Sequence, residues 1–448
     1  MTTLHIGKAS VISNPRERHW YRFFEILPGG ISWLTVILTV VCSFFFPTET
    51  ALFIIVFDMY WLVKTIYLSL HLRFGYAQTR KNMKIDWFAR LQGLPWQPIY
   101  HLILLPTYQE PEDLIRDSLQ SFTKAHYLQD RMIVVIAQEE RAGHEHNQTI
   151  AQNLTKQFGS AFFKFLVVEH PDGLPGEQAG KGANITWAGK AVRRDVIDAL
   201  NIPYADILVS VFDIDTAVYA EYFSRLTYVF LNTKNRLHAS YQPVPFFVNN
   251  IWEAPAIARV VAFSSTFWQT IQQERSENLI TFSSHSMPFQ AVVDIDFWQT
   301  NMVNEDSRVF WQCLLRYDGD YRTVPLYYPV SMDANVAPTF WRTMVNAYKQ
   351  HRRWSYGVEN VAYFLFGFKK NKKIPFSKKF LYTVTIMEGY WSWATNSLIL
   401  FVLGWLPGMV GGPGFNRTVL SFNHTFFSQT IMRLSLLALL TPLFLSLF

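Results

Sequence analysis

The sequence predicts an α/β domain with a mainly parallel sheet, inserted between apolar helices long enough to cross a membrane. Between about residues 100 and 335, short apolar runs alternate with polar amphipathic stretches, which is the pattern of βαβ units. Long apolar segments precede and follow this region. Each approaches the roughly 20 residues that a helix needs to cross the hydrocarbon of a bilayer.

The chain of 448 residues is unusually aromatic, with 38 Phe, 21 Tyr and 15 Trp. Trp and Tyr concentrate at membrane–water interfaces, so this composition is typical of proteins that contact a bilayer. The net charge of +6 and the pI near 9.1 are compatible with a nucleic acid, an anionic membrane or a phosphorylated substrate as partner. The sequence has no dense Lys/Arg tract with interleaved aromatics, which argues against nucleic acid.

Cys42 and Cys313 are the only cysteines in the sequence. Cys42 lies within an apolar run, so the two are not expected to form a disulfide framework. The main domain is therefore expected to lie in a reducing compartment.

Four apolar segments are predicted to be transmembrane helices. The first two lie within residues 31–71 and are separated by "PTET"; a buried helical hairpin is the alternative. The second contains Asp58 and Lys64, which in lipid require a partner, an interfacial location or a contact with protein. The last two lie within residues 381–448, and the Gly-rich stretch 407–430 between them is predicted to be a loop.

Positive charge flanks the first pair of helices on both outer ends, in the polar segment 1–30 and after residue 71. The positive-inside rule then places both flanks in the cytoplasm of a multi-pass protein of the cell membrane. The predicted organisation is a cytoplasmic segment (1–30), two transmembrane helices (31–71), a cytoplasmic α/β domain (72–337), amphipathic interface helices (338–380) and two further transmembrane helices (381–448).

Four short apolar runs are predicted to be strands, and the amphipathic stretches between them are predicted to be helices. Ligands of a parallel sheet bind beyond the carboxyl ends of its strands, so the residues after each strand are the candidates for a site. The predicted strands are 101–106, 132–137, 162–169 and 205–213, and the predicted helices include 111–125 and 182–200.

The fourth predicted strand ends in "VFDIDT", which places Asp213 and Asp215 at its carboxyl end. Hard carboxylate oxygens suit Mg²⁺ or Mn²⁺, which keep coordination positions open for substrate phosphates. D-x-D pairs are frequent, however, and "VVDIDF" supplies a second pair, Asp294 and Asp296. Taken alone, the motif does not decide between a metal site and a structural pair.

Glu305 and Asp306, in "NEDS", follow a predicted strand and turn and open a predicted helix. An acidic pair at such a position is usually a solvated helix start, because the helix dipole favours negative charge there. The alternative is catalytic, with one carboxylate acting as general base on a hydroxyl nucleophile. Both interpretations stay open at this point.

Two loops carry candidate phosphate-binding groups. "LPTYQEP" ends the first strand with Pro106, Tyr108 and Glu110, and it leads into a helix whose N-terminus suits a diphosphate or a ribose. "GEQAGKGAN" carries Lys181 directly before a helix, but it lacks the P-loop spacing, so a P-loop nucleotidase is disfavoured. An ordinary surface loop is the alternative for the second stretch.

In this order, the motifs resemble those of the membrane-bound family 2 glycosyltransferases, especially the processive group of cellulose, chitin and hyaluronan synthases. The resemblance spans roughly residues 100–356, over half of the chain. It implies a GT-A fold, which is Rossmann-like with a mainly parallel sheet. The matching positions are Pro106, Tyr108 and Glu110, with Gln109 in place of the family's Asn, then Lys181, Asp213 and Asp215, Glu305 and Asp306, and finally Gln350, Arg353 and Trp354 of "QHRRW".

The resemblance implies an inverting transfer of a sugar from a nucleotide-diphosphate donor, with UDP as the expected nucleotide, to a hydroxyl of a polysaccharide or lipid-linked acceptor. Asp306 is implied as the general base, with Glu305 beside it as a second catalytic candidate. Asp215, with Asp213, is implied to hold Mg or Mn, and Trp354 to contact the acceptor sugar. The implied donor-binding residues are Pro106, Tyr108, Glu110, Glu139, Lys181, Asp213, Gln350 and Arg353, with Glu139 standing where the family has an aspartate.

Two departures weaken an assignment to particular synthases. The sequence has neither the W-G-T-R tail motif of hyaluronan synthases nor the F-x-V-T gating segment of cellulose synthases. One alternative is the addition of a single sugar to a lipid carrier, and another is a non-catalytic membrane scaffold with a degenerate transferase fold.

Membrane lipids are expected partners, because amphipathic helices at 338–366 would lie on the cytoplasmic face of the membrane. Four transmembrane helices are few for a private translocation channel. Polymer export would therefore require a second copy of the chain, an export partner, or a native chain that continues beyond Phe448.

Overall fold

The computed structural model describes residues 4–438, and this part of the chain divides into two compact units. The first, here called the sheet unit, consists of Gly75–Pro375 together with the residues up to Gly7. The second, the helical unit, consists of Lys8–Phe74 together with the chain from Phe376 onward.

The sheet unit contains one sheet of eight strands. Its first four strands in chain order overlap the four apolar runs predicted to be strands, so those predictions are confirmed. The strands are β1 (Tyr100–Thr107), β2 (Met132–Glu139), β3 (Lys164–His170), β4 (Ile207–Val211), β5 (Ala217–Val218), β6 (Ala239–Phe247), β7 (Ser286–Pro288) and β8 (Arg322–Met332).

The strand order across the sheet is β3-β2-β1-β4-β7-β6-β8-β5. β1 to β4 run parallel, and so do β6 and β8. β7 is antiparallel to β4 and β6, and the short β5 is antiparallel to β8. The predicted α/β class with a mainly parallel sheet is therefore confirmed. Because β7 is reversed, the residues before it lie at the same edge of the sheet as the residues after β4.

The helices follow the predicted alternation in the sheet unit and dominate the helical unit. In chain order they are α1 (Pro15–Phe45), α2 (Pro47–Met83), α3 (Trp87–Leu91), α4 (Glu112–Thr123), α5 (His144–Phe158), α6 (Lys181–Val192), α7 (Tyr222–Asn232), α8 (Ala256–Gln273), α9 (Phe289–Asp294), α10 (Glu305–Arg316), α11 (Phe340–Ser355), α12 (Glu359–Lys370), α13 (Phe376–Phe401), α14 (Leu406–Val410), α15 (Gly412–Asn416) and α16 (Val419–Ala438).

The core of the sheet unit lies on the central parallel strands. Every residue of β2 is buried, and β1 is buried from His101 to Leu105. Strands that are covered on both faces read as continuous apolar runs instead of alternating ones, which is why "LILL" and "MIVVIA" were recognisable as strands. The same main core includes Ile115, Leu119 and Phe122 of α4, which explains the amphipathic pattern of that helix.

Among the described residues, α1 and α2 are long and apolar enough to cross a membrane. A third span is counted if α13 is joined to the helical segment Leu403–Val410, which follows it after a bend of 52°. These helices are compatible with membrane association. The fourth predicted span, the closing apolar stretch 434–448, lies mainly outside the described residues.

The prediction of a loop at residues 407–430 was wrong, because the structure forms α14, α15 and much of α16 there. The stretch suggested a loop because it is rich in glycine, but its residues form helices, and Pro407 and Pro413 each lie in the first turn of one. At that position proline loses no hydrogen bond, and its fixed φ angle suits the helix.

Asp58 and Lys64 of α2 have partners within the helical unit. Lys64 Nζ donates to Glu388 Oε1 at 2.5 Å, and the Tyr60 hydroxyl donates to the same oxygen at 2.6 Å. Asp58 Oδ2 accepts from the Ser428 hydroxyl at 2.7 Å. Asp58 and Lys64 therefore both have the partner that a charged residue needs within an apolar helix.

The two helices between residues 338 and 380 differ in their surroundings. α11 exposes large apolar side chains such as Trp341 and Tyr348. α12 is mostly buried and packs against α10, with the Trp311 and Phe364 rings stacked at 4.4 Å. Only α11 therefore has the exposed amphipathic character that was expected of both.

We expect the buried imidazole of His101 to make the protein less stable in acid. His101 lies in β1, and its Nε2 is 2.9 Å from the Thr227 hydroxyl. Burial lowers the pKa of His101 from 6.5 to about 3. Below pH 6.5 His101 is protonated in the unfolded chain but stays neutral in the folded chain. The free energy of unfolding therefore falls by about 1.4 kcal/mol per pH unit until the pH nears 3. Thermal unfolding of wild type and His101→Gln between pH 7.5 and 5 measures this loss.

The variant should show a shallower decline of the melting temperature than the wild type does. His146→Gln, which removes an exposed histidine of α5, is the matched control and should leave the slope unchanged. Equal slopes for wild type and His101→Gln would show that His101 is not the acid-sensitive group.

Candidate active site

The D-x-D motif forms a turn directly after β4. The Thr216 N–H donates to the Asp213 carbonyl at 2.9 Å and closes the turn. The Ser118 hydroxyl of α4 donates to the Ile214 carbonyl at 2.5 Å, and the Thr216 hydroxyl lies 3.1 Å from that of Ser284. The backbone of the motif is thus held from both sides, so the two carboxylates have fixed positions.

Lys181 joins the D-x-D motif to the Glu-Asp pair. Its Nζ donates to Asp213 Oδ1 at 2.6 Å and to Asp306 Oδ2 at 3.0 Å. Burial lowers the pKa of Lys181, but the charges of Asp213, Asp306 and Glu305 more than offset this effect, so its pKa lies above the ordinary value. The lysine is therefore a fixed positive charge between two carboxylates from distant parts of the chain.

The position of Lys181 follows from how α6 is anchored. Lys181 is the first residue of α6, and Gly180 before it has φ +151°, a conformation that favours glycine. Asn184, one turn later, donates to the Ala137 carbonyl in β2 at 2.6 Å. Thr186 donates to the Trp298 carbonyl at 2.9 Å. The helix start is thereby fixed to the sheet and to the segment before "NEDS".

Ser283 lies opposite Asp213 because of the antiparallel pairing of β4 and β7. Ser210 pairs with Ser286, and continuing this register past the strand ends pairs Asp213 with Ser283. The Ser283 hydroxyl donates to Asp213 Oδ2 at 2.5 Å. Burial raises the pKa of Asp213, but the charge and hydrogen bonds of Lys181, the Ser283 hydroxyl and the charge of Arg353 bring it below the ordinary value.

The pKa of Asp215 is shifted in the opposite direction from that of Asp213. Burial and the charges of Asp213 and Asp333 raise its pKa, although the Asp333 N–H donates to its Oδ2 at 3.1 Å. Its buried Oδ1 accepts no hydrogen bond from any described residue. An orphaned buried carboxylate oxygen is costly unless a cation or a proton is supplied.

Asp213 and Asp215 fit a divalent cation in the way that Mg²⁺ is usually held, by one or two carboxylates with the other positions left for water and phosphate oxygens. The unpartnered Asp215 Oδ1 is the observation that favours this interpretation. Within residues 4–438, no group of three or more His, Cys, Asp or Glu side chains is arranged to hold a metal ion by itself. The protein alone would therefore supply only part of the coordination.

Glu305 and Asp306 begin α10 but are not the solvated helix start considered from the sequence. Glu305 is only 2% exposed, and burial together with the Asp306 charge raises its pKa. Asp306 Oδ2 receives the Lys181 hydrogen bond. Its Oδ1 has no hydrogen-bond partner in the part of the chain that the structure describes, and it lies 3.6 Å from Nδ1 of the buried His285.

The "QHRRW" segment forms the last turns of α11. Arg353 is exposed, yet its charge contributes to the lowered pKa of Asp213. Its carbonyl accepts from the Asn304 side chain at 3.4 Å, next to the Glu-Asp pair. Trp354 is half-buried and packs edge-on against Phe282 with ring centroids 6.1 Å apart. Gln350 lies one turn earlier and is half-buried.

Asn360 connects the Glu-Asp pair to the segment after "QHRRW". Its side-chain oxygen accepts from Arg308 Nε at 2.6 Å, and its amide nitrogen donates to the Ser307 hydroxyl at 2.8 Å. Arg308 is fully buried and also lies over the Tyr363 ring, 4.0 Å from its centroid. The residues after Asp306 are therefore fixed to α12.

Four of the predicted donor-binding residues lie at the carboxyl ends of β1 and β2 or just after them, namely Pro106, Tyr108, Glu110 and Glu139. Pro106 lies near the carboxyl end of β1, and Glu110 Oε2 accepts from the Tyr108 N–H at 2.6 Å. The Arg141 guanidinium lies over the Tyr108 ring at 4.1 Å and pairs with Glu139. Glu139 and Arg141 also line a cavity of about 140 Å³ at the carboxyl ends of β2 and β3, together with Glu140, His170, Asp172, Gly173, Leu174, Glu177, Gln178 and Ala179.

The rival pair Asp294 and Asp296 lies apart from the Lys181 cluster. Asp294 accepts from the Tyr317 hydroxyl at 2.8 Å, and Asp296 is exposed and lies 3.7 Å from Lys190. Reasoning from the sequence missed Ser283, His285, Arg308 and Asn360. "SSHS" before a short strand was a visible signal for the first two, whereas nothing in the sequence marked the other two.

No family model matches the chain, and no curated protein matches it in sequence. Several solved structures are similar at low identity. The mannosyltransferase PcManGT from Pyrobaculum calidifontis, in complex with GDP-Man and Mn2+, is 12% identical, with 84% of this chain and 99% of that chain covered and a TM-score of 0.39.

S. aureus TarS 1-349 in complex with UDP-GlcNAc is also 12% identical, with 75% of this chain and 92% of that chain covered and a TM-score of 0.35. Mannosyl-3-phosphoglycerate synthase from Rubrobacter xylanophilus has the same identity and TM-score, with 62% of this chain and 76% of that chain covered. Because their TM-scores are below 0.5, these likenesses do not indicate the activity of this chain. Its activity is inferred below from its own residues.

Proposed function

We propose that the chain is a membrane-associated glycosyltransferase that moves a sugar from a nucleoside-diphosphate donor to a hydroxyl acceptor. The observation that carries the proposal is the contact of Lys181 with both Asp213 and Asp306. Three motifs that were singled out separately in the sequence meet in one cluster at the carboxyl edge of the sheet. A diphosphate-binding cation, a metal-binding carboxylate and a general base are the groups that such a transfer needs.

On the donor side, Lys181 and Arg353 are the cations for the diphosphate. Arg353 is exposed and acts on Asp213 electrostatically, so it is free to form a bidentate pair with phosphate oxygens. Mg²⁺ or Mn²⁺, held by Asp215 and Asp213, would neutralise the charge that develops on the leaving diphosphate. We place the nucleotide at the cavity beside Glu139 and Arg141, with UDP as the first nucleotide to test.

On the acceptor side, Asp306 removes the proton of the attacking hydroxyl. It is the more accessible of the two acidic residues, with 21% of its side chain exposed. Its Oδ1 is buried and accepts no hydrogen bond from the described residues, so it can accept a proton. Glu305 is buried and its raised pKa favours the protonated form, so its role is to position Asp306. Attack from the face opposite the diphosphate inverts the anomeric carbon.

We place the acceptor among growing polysaccharides and lipid-linked sugars. Support comes from α1 and α2, which are long and apolar enough to keep the enzyme at a bilayer, and from Trp354, whose ring offers an apolar face for a sugar. Processive extension is the favoured mode from the sequence motifs. A ladder of product lengths from one purified enzyme supports it, and a single product length contradicts it.

Asp306→Asn is expected to lower kcat by about 100-fold or more while leaving the donor KM nearly unchanged, because a general base contributes about 10²- to 10⁴-fold. The assay is nucleoside diphosphate release with Mn²⁺, using the best donor from a screen of UDP-, GDP- and dTDP-sugars. Asp296→Asn, in the rival motif, is the matched control and should retain full activity. Undiminished activity of Asp306→Asn would exclude the assigned base.

Substitution of the two neighbouring arginines of "QHRRW" is expected to affect the donor KM differently. Arg353→Ala should raise the donor KM by about 10- to 100-fold, since a hydrogen bond to a charged group contributes about 1.5–3 kcal/mol. Arg352→Ala removes an equally exposed arginine that no contact ties to the cluster among the described residues, and it should have little effect. Equal effects of the two substitutions on donor KM would contradict a specific role for Arg353 in binding the diphosphate, and both arginines would then only contribute positive charge to the surface.

Gly182→Ala tests the spacing between α6 and α10. A Cβ at Gly182 would lie 2.9 Å from the Gln299 carbonyl oxygen and 3.2 Å from Glu305 Cβ, so the helix start has to shift. Displacing Lys181 from Asp306 is expected to lower kcat by up to about 100-fold, as an error of 1 Å in a catalytic geometry does. Gly93→Ala, where a Cβ meets open space, is the control. Full activity of Gly182→Ala would show that this spacing is not critical.

A further inference from the structure

α8 exposes an apolar stripe although it belongs to the sheet unit. Ile257, Val260 and Trp268 are 53%, 64% and 46% exposed, and with Ser264 they lie at intervals of three or four residues along one face. Trp252, just before the helix, is 83% exposed. The stripe thus extends over about three turns of α8, from Ile257 to Trp268, and Trp252 precedes it in the chain.

The opposite face of α8 is a normal packing face. Ala258 and Ala262 are buried in a small core with Phe247 of β6 and Met332 of β8. The Thr266 hydroxyl donates to the Pro245 carbonyl at 3.1 Å and so attaches the helix to β6. Since the inner face is fixed in this way, the outer stripe is held outward and cannot turn into the core.

α11 packs on the same small core through Met344 and has a similar outer face. Trp341 and Tyr348 are 76% and 68% exposed. α11 also carries cations close to these rings, since Arg342, Lys349 and Arg352 are all exposed. Two helices on one small core therefore both expose aromatic and aliphatic side chains, and the second adds positive charge.

A lipid surface is the partner that this combination fits. Tryptophan and tyrosine with flanking Lys and Arg are the residues of helices that lie in the membrane–water interface. Anionic headgroups complement the cations of α11, because the negative potential of such a surface attracts nearby Lys and Arg side chains. α1 and α2 of the same chain are long enough to span a bilayer, so the local lipid concentration is high and weak interfacial contacts suffice.

We propose that the outer face of α8, together with Trp252, is a membrane-contact surface of the sheet unit that docks onto an anionic lipid surface beside α11. The surface is separate from the Lys181 cluster, and it does not depend on the glycosyltransferase assignment. Its role is to hold the sheet unit at the headgroup layer, where a lipid-linked molecule can be reached.

The test is a measurement of depth on the full-length protein in nanodiscs. Cys42→Ser leaves only Cys313, which is fully buried, so single labels can be introduced. A nitroxide is attached in Val260→Cys, in Ser264→Cys on the same stripe, and in Lys156→Cys on an exposed polar face of α5 as control. Paramagnetic resonance then compares the accessibility of each label to O₂, which partitions into lipid, and to a water-soluble nickel chelate.

The labels at positions 260 and 264 are expected to show an O₂-to-nickel accessibility ratio several-fold above that of the label at 156. The ratio should rise further when phosphatidylglycerol replaces part of the phosphatidylcholine. A ratio at both positions equal to that at 156 would overturn the proposal. Shielding of both labels from O₂ and nickel alike would also overturn it, because the stripe would then be covered by protein, such as a second copy of the chain.

Discussion

The contact of the Lys181 ammonium with two carboxylates is the interaction on which the site depends. Without it, the carboxylates of Asp213 and Asp306 would face each other with only the charge of the exposed Arg353 to compensate them, and like charges in a poorly solvated site repel strongly. With it, two carboxylates from opposite sides of the site are held at hydrogen-bond distance from one atom. Removing one partner of such an arrangement is costly because it leaves a buried charge unpaired. The geometry of the site and the stability of this edge of the sheet are therefore linked.

The fold brings these charges together by two simple devices. The parallel strands end at one edge, which places the D-x-D turn and the start of α6 near each other, and Asn184 fixes the helix to β2. The antiparallel register of β7 with β4 places Ser283 opposite Asp213, and the Ser283 hydroxyl donates to the Asp213 carboxylate. Asn360 secures the remaining side by binding two consecutive residues of α10. Each catalytic candidate is held by contacts outside the cluster itself.

The sequence predicted the parts of the fold that local patterns determine. The central strands were recognisable because continuous apolar runs occur where both faces of a strand are buried, as in Met132–Glu139. Convergence of Lys181, Asp213 and Asp306 was inferred only from the resemblance to a family. The contacts of Ser283 and Asn360 could not be predicted, because they depend on strand register and helix packing, which no local pattern encodes. The helices within 407–430 were missed because a glycine-rich stretch was interpreted as a loop, whereas Pro407 begins a helix by lying in its first turn.

Charge balance indicates why, within the described part of the chain, the site has both an unpartnered carboxylate oxygen and an exposed arginine. Lys181 balances only one of Asp213 and Asp306, and the Asp215 carboxylate adds further negative charge when it is ionised, so the cluster carries a net negative charge before any donor binds. A nucleoside diphosphate adds more negative charge and would be repelled. Arg353 offsets one charge at most, and the unpartnered Oδ1 of Asp215 is the place where a divalent cation would offset the rest. The electrostatics of the protein alone thus favour donor binding together with a cation and disfavour binding of the donor by itself.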